Sequence, residues 1–238
     1  MDYFSYMGIG NQIKIVTNSI LDIAYPNDCV ICENDLKVNE QHMCLSCLYD
    51  LPYIDNSEQT KEKLDKLFWG RAEVERTYTL FDYQKGNMVQ DILHLIKYQN
   101  KTKLAQFFGG KLAEQVDKKN EIDFILPVPL HPKKLKLRGF NQSSLLAKGL
   151  NERLNIPVKE KLIRRIVHSD SQTTVSKYER WDNVKNIFTI PNPSKLKDRH
   201  VLLVDDVLTT GATIEACLKQ LLQIEGCKVS VATLAARV

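Results

Sequence analysis

Residues 201–213 read VLLVDDVLTTGAT, and the rest of the chain is organised around them. Val201, Leu202, Leu203 and Val204 form a short continuous apolar run, the pattern of a strand buried on both faces of a parallel sheet. Asp205 and Asp206 follow directly. Then come a small, hydroxyl-rich turn, Thr209, Thr210, Gly211, Ala212 and Thr213, and a helical pattern over 214–224. That order brings backbone N–H groups, hydroxyls and the positive end of a helix dipole to one point, a concavity suited to a phosphate. Carboxylates at the carboxyl end of such a strand can accept hydrogen bonds from sugar hydroxyls, directly or through hydrated Mg²⁺. A generic strand–turn–helix with Asp as a turn former is the plainer reading. It leaves two adjacent acids followed by TTGAT as a coincidence.

The stretch resembles the phosphoribosyl pyrophosphate (PRPP) motif of type I phosphoribosyltransferases. The resemblance implies that Asp205 and Asp206 hold the ribose hydroxyls. It also implies that Thr209, Thr210, Gly211, Ala212 and Thr213 wrap the 5′-phosphate. Purine-salvage members carry an acidic residue where Thr209 stands, and it serves there as the base-side acid or base. That carboxylate is missing here, which counts against nucleobase transfer by the same route.

The 238 residues fit one α/β domain plus a smaller module, expected as 61–238 and 1–60. Hydrophobic residues at 43% and charged residues at 26% are those of a globular protein, and no apolar run approaches membrane-spanning length. The start, MDYFSYMGIGNQIK, lacks the basic and apolar regions of a signal peptide, so a cytoplasmic location is expected. Charge is unevenly spread. Residues 26–58 hold seven acids (Asp28, Glu33, Asp35, Glu40, Asp50, Asp55, Glu58) against Lys37, whereas 131–180 hold twelve Lys and Arg against four acids. The two segments should therefore have different partners, and a polyanion would be drawn to the second. Neutralising one highly charged small ligand is the alternative use of that basic segment.

Residues 8–23 carry Ile9, Ile13, Val16, Ile20 and Ile23, a helical stripe ended by Pro26. Cys29–x–x–Cys32 and Cys44–x–x–Cys47 follow, eleven residues apart. Two such pairs can each offer two thiolates and together close a tetrahedral structural Zn²⁺ site. In a reducing compartment a disulfide framework is disfavoured. The segment is too short for a core of its own, so the metal would supply its folding energy. Its acidity favours a structural or protein-docking role over nucleic-acid binding. The polar run 55–66, DNSEQTKEKLDK, reads as a linker.

In the core, 76–83 reads as a strand and 88–98 as a helix with Val89, Ile92, Leu93, Leu95 and Ile96 inward. Residues 101–118 read as a second helix whose Gly109–Gly110 pair permits close packing. A buried strand at 122–126 leads into PVPLHPKKLKLRGFNQ, 127–142, read as a basic loop facing the ligand crevice. There His131, Lys133 and Arg138 are candidates for pyrophosphate, and Asn141 or Ser143 can cap a helix ending near Leu154. Residues 162–188 lack regular periodicity and read as a flap over a charged ligand, with Arg164, Gln172 and Arg180 as its candidate contacts; an inert surface excursion is the alternative. Trp181 could stack a base or anchor that segment. Cys217 and Cys227 read as buried thiols, and 228–236 as the final strand.

Taken in order, CxxC…CxxC, IKY at 96–98, PVPLH at 127–131, RGFNQ at 138–142 and VDDVLTTGAT resemble the ComF family of competence-associated proteins over nearly the whole chain. The resemblance implies an α/β fold: a type I phosphoribosyltransferase-like parallel sheet flanked by helices, with a small N-terminal four-cysteine zinc finger. It implies PRPP with Mg²⁺ as ligand and a role in DNA uptake during natural transformation. Single-stranded DNA and competence proteins such as a DNA helicase are the partners it suggests. Two other functions fit the same site: an active phosphoribosyltransferase of nucleotide metabolism, and a PRPP-sensing regulator without turnover.

Overall fold

Strand β5 (His200–Leu208) lies inside a four-stranded parallel sheet of order β1-β6-β5-β2, with β1 Thr77–Asp82, β2 Phe124–Pro127 and β6 Lys228–Ala236. This is a computed structural model, described over residues 28–55, 57–117, 121–166 and 187–237. The expected helix at 8–23, Trp181, Gln172 and Arg180 lie outside the described residues. Two compact units are present, Met1–Leu51 and Pro52–Val238. The sheet and all of its helices belong to the second.

β5 is longer than its apolar run. It continues through both aspartates, and Asp205 stands opposite Thr233 in the register with β6. The acids are thus strand residues held by ladder hydrogen bonds, with Asp205 and Asp206 only 8% and 6% exposed. Along β5 the side chains of Val201 and Leu203 enter a cluster with Ile214, Leu218, Leu221 and Val229. Leu202 and Val204, pointing the other way by the strand's two-residue period, are equally buried. A strand covered on both faces needs this unbroken apolar run.

The helices follow from local signals. Asn87 caps α3 (Met88–Tyr98; α1 and α2 are described below), accepting the Gln90 N–H, and the helix buries Val89, Ile92, Leu93 and Ile96; Leu95 is half-buried. Next comes α4 (Thr102–Leu112), ending earlier than its polar tail suggested because residues 113–115 tighten into a 3₁₀ turn. The predicted close packing is real at Gly109, where a Cβ would overlap the Leu146 carbonyl of α6 (Gln142–Leu154; α5 is described next). Its counterpart across the crossing is Gly149, against the Gln106 carbonyl. Gly110 is not needed for the approach, since a Cβ there would meet Arg153 Cγ at 3.7 Å.

Two sequence expectations are corrected. The run 55–66 is not a linker: α2 occupies Glu58–Asp65, capped by Ser57. Its one buried apolar side chain is Leu64, and beside it Lys61 is buried with its ammonium 3.0 Å from Asp117 and 3.2 Å from Glu58. A helix anchored by a lysine stem and one leucine leaves no apolar period to read. Likewise 127–142 is not all loop. Residues Pro132–Arg138 form α5, started by proline in the first turn and by His131, whose Nδ1 accepts the Lys133 N–H at 3.2 Å. None of its residues is buried, so burial periodicity could not signal it. Of the segment read as a flap, the described ends form a two-stranded antiparallel ribbon, β3 (Arg164–Arg165) with β4 (Phe188–Thr189).

Candidate functional site

The carboxyl end of β5 gathers three separate stretches of sequence. Ser143, in the first turn of α6, donates its hydroxyl to Asp205 Oδ1 at 2.9 Å, and the Asp206 N–H donates to the same oxygen at 2.9 Å. Asp206 Oδ2 lies 2.8 Å from the Lys97 ammonium near the end of α3, an ion pair without hydrogen-bond alignment. Next to Lys97, Tyr98 carries the Arg138 guanidinium over its ring at 5.2 Å, and Arg138 Nη1 donates to Gln142 Oε1 at 3.1 Å. IKY, RGFNQ and the aspartate pair therefore meet as one network. Asn141 fastens it: its Nδ2 donates to the Val128 carbonyl at 2.9 Å, and its Oδ1 accepts the Ser143 N–H at 3.1 Å.

Burial, together with the neighbouring negative charge of Asp206, pushes the Asp205 carboxyl up to about 7. The hydrogen bonds from Asp206 N–H and Ser143, and the Lys97 charge, oppose that rise. A carboxyl held in this way changes charge near neutrality, where it can switch between accepting and donating a hydrogen bond.

After β5 the chain turns at Gly211 into α7 (Ala212–Leu221). Gly211 is buried with φ of 77°, a left-handed conformation that a side chain would strain, and no side chain caps the helix there. α7 thus starts, without a capping side chain from Gly211, beside Thr209, Thr210, Ala212 and Thr213, all exposed. Ala212 N–H reaches only Thr210 Oγ1, at 3.5 Å. Arg71 braces the turn from outside, with Nη1 donating to the Thr210 carbonyl at 3.1 Å and lying 3.6 Å from Glu215.

The candidate residues divide accordingly. Asp205, Asp206 and the 209–213 turn share one end of β5. Arg138 joins them through Tyr98 and Gln142, while His131 and Lys133 sit at the start of α5, His131 acting as its cap. Arg164 is exposed on β3. Sequence reading missed Lys97, Ser143 and Gln142 as site residues, although IKY and RGFNQ contained or adjoined them. It also missed Arg71, for which no local pattern exists. No third metal-ligating side chain joins the two aspartates among the described residues, and one aspartate is already matched by Lys97.

In the unit Met1–Leu51, the sulfurs of Cys29, Cys32, Cys44 and Cys47 lie within 4.8 Å of one another, and Cys32 Sγ is 3.7 Å from Cys44 Sγ. A tetrahedral site with bonds of about 2.3 Å has sulfur–sulfur edges of about 3.8 Å, so the set fits a metal. Cys44 also caps α1 (Leu45–Tyr49) through its sulfur. Burial raises the Cys29 thiol, but backbone N–H groups of Cys32, Cys44 and Ile31 outweigh it and bring it down to about 6. Burial and the other three sulfurs push Cys47 up. Cys217 and Cys227 are both buried, as expected. No helix among the described residues is long and apolar enough to cross a membrane.

The phosphoribosyl transferase domain family matches residues 139–238. Competence protein F of Haemophilus influenzae is 38% identical over 98 residues, 41% of this chain and 43% of the relative. DNA utilization protein YhgH of Escherichia coli is 29% identical over 155 residues, 63% of this chain and 66% of the relative. Competence protein ComFC of Streptococcus pneumoniae is 27% identical over 229 residues, 92% of this chain and 93% of the relative. The chain thus spans less than two thirds of the first two relatives and nearly all of the third. With the three sequence signatures meeting at β5 in a parallel sheet, these matches support a ComF-type phosphoribosyltransferase-like protein.

Proposed function

We propose that the end of β5 binds PRPP or a related phosphorylated ribose, and that the protein uses this site in DNA uptake or a related handling of DNA. The observation that carries the reading is the join of strand and helix. Two nearly buried acids precede an uncapped helix N-terminus turned by a left-handed glycine, so hydroxyl acceptors and phosphate donors stand side by side. Asp205 and Asp206 would accept from the ribose hydroxyls, the 209–213 turn would hold the 5′-phosphate, and Arg138 with Lys133 would face the pyrophosphate. Mg²⁺ would accompany the pyrophosphate, whose charge it offsets, rather than sit on the acid pair. Thr209 offers a hydroxyl and no carboxylate, which favours binding over purine transfer. The DNA role comes from the names of the relatives.

Calorimetry with PRPP and Mg²⁺ on the wild type and on Asp205→Ala/Asp206→Ala tests this reading. The double variant should give no binding heat, and equal heats would sink the assignment. A pyrophosphate-release assay with candidate bases separates turnover from sensing.

A second use has its own observation. Tyr98 is 63% exposed, with the His94 ring tilted against it at 5.0 Å and the Arg138 guanidinium over its ring at 5.2 Å; exposed Lys133, Lys134 and Lys136 follow on α5. Aromatic stacking beside lysines is the chemistry of single-stranded DNA binding. Oligonucleotide affinity should fall steeply with salt and drop on Tyr98→Ala. We further propose that the four-cysteine set holds structural Zn²⁺ and that its unit docks a protein such as a DNA helicase, a reading supported by its acidity and by exposed Val38, Leu45 and Tyr49.

A further inference from the structure

The Lys97–Asp206 pair puts a positive charge beside the two acids at the end of β5. Lys97 comes from α3, 20% exposed at its side chain, and reaches a carboxylate that is 8% exposed. An ammonium has three donors, and at 2.8 Å from Asp206 Oδ2 none of them is aligned with that oxygen as a hydrogen bond. The Lys97 ammonium can therefore turn its donors to oxygens entering at Asp206. Asp205, meanwhile, has Oδ1 committed to Ser143 and to the Asp206 N–H. A divalent ion approaching Asp206 would meet the Lys97 ammonium 2.8 Å from Oδ2, and water and ligand oxygens would have to complete its shell, since no third ligating side chain joins the pair among the described residues.

We propose that Lys97 is a ligand-binding residue: its ammonium takes the place of a divalent cation at the acid pair and donates to the pentose hydroxyl oxygens that Asp206 also engages. The site therefore holds a phosphorylated pentose at these hydroxyls without metal, and Mg²⁺ matters only for ligands that carry a pyrophosphate. This inference rests on the pentose reading of the site and adds its cation requirement.

Ribose 5-phosphate, which has the hydroxyls and the 5′-phosphate but no pyrophosphate, is the probe. Binding to the full chain is measured calorimetrically in buffer freed of divalent ions by chelating resin, with no chelator present, and again with Mg²⁺. The wild-type affinity should change less than about threefold between the two conditions, whereas PRPP should bind more tightly with Mg²⁺. Lys97→Ala should bind ribose 5-phosphate about tenfold or more weakly in the metal-free buffer, the loss expected when a charge-assisted donor is removed. Lys97→Arg should recover part of that loss, and Lys97→Gln carries the same expectation as alanine should the alanine variant fail to fold. A wild-type loss beyond about threefold without metal overturns the proposal. So does a Lys97 variant that binds like wild type. If ribose 5-phosphate binds wild type and Asp205→Ala/Asp206→Ala equally, the pentose site itself is wrong, and the Lys97 inference goes with it.

Discussion

The Ser143 hydroxyl lies 2.9 Å from Asp205 Oδ1, and both residues are buried, Ser143 in the first turn of one helix and Asp205 in the strand beside it. Removing that donor leaves Asp205 Oδ1 with the Asp206 N–H as its partner and costs what a hydrogen bond to a charged group supplies. Ser143→Ala should therefore destabilise the protein by about 1–3 kcal/mol, read as a lower urea midpoint. Because Ser143 opposes the upward shift of Asp205, the variant should also raise that carboxyl further, visible by NMR titration.

Asp205 gives stability a pH dependence of definite sign. Its folded-state value, up to about 7, lies above the value of about 3.9 for an unfolded aspartate. Between those limits the folded state binds more protons, so stability falls as pH rises from about 4 to about 7 and levels off above that. Asp205→Asn should lack this fall. Its stability relative to wild type should increase by a few kcal/mol between the two ends of the window. Equal slopes for the two proteins in denaturation at a series of pH values would contradict the burial-driven shift.

The two adjacent glycines of α4 should respond oppositely to the same change. Gly109→Ala drives a methyl into the Leu146 backbone, and overpacking of this kind costs about 1–3 kcal/mol or more. Gly110→Ala meets only ordinary contacts, the nearest Arg153 Cγ at 3.7 Å, and should stabilise by up to about 1 kcal/mol through helix propensity. Thermal melts of the two single variants decide it.

Gly211→Ala places a side chain at φ of 77°, with its Cβ 3.4 Å from Leu208 Cδ1. The left-handed conformation costs about 1–2 kcal/mol for a residue with a Cβ. Relief of that strain would turn the first N–H groups of α7 away from the bend. Inorganic phosphate and PRPP should both bind more weakly, and a variant with unchanged phosphate affinity would show that these N–H groups are not the phosphate site.

Purified protein should carry about one zinc per chain, as expected of four thiolates closing one tetrahedron. Cys44→Ser removes both a ligand and the sulfur cap of α1. Elemental analysis should then show the metal lost, and hydrogen exchange should show amide protection falling over residues 28–51.

Short-range order was legible in the residues themselves. The apolar run 201–204, the helix period of 88–98, a cap at Asn141 or Ser143 and the paired CxxC spacing each express a rule that acts within a few residues, and the resemblance to known families rests on those same stretches. Element type and the location of the acids followed from them. What was not legible is every feature made by packing. Ser143 meets Asp205 across 62 residues of chain and Arg71 meets Thr210 across 139. Gly149 matters because another helix's carbonyl approaches it. The helix Glu58–Asp65 holds on to the protein through a buried lysine and a single leucine, so its polar sequence looked like a linker. Lys97 read as one letter of a motif until α3 delivered its ammonium to Asp206. Local conformation is set by neighbours in sequence, but the charge balance of a pocket is set by neighbours in space, and only the folded chain decides which those are.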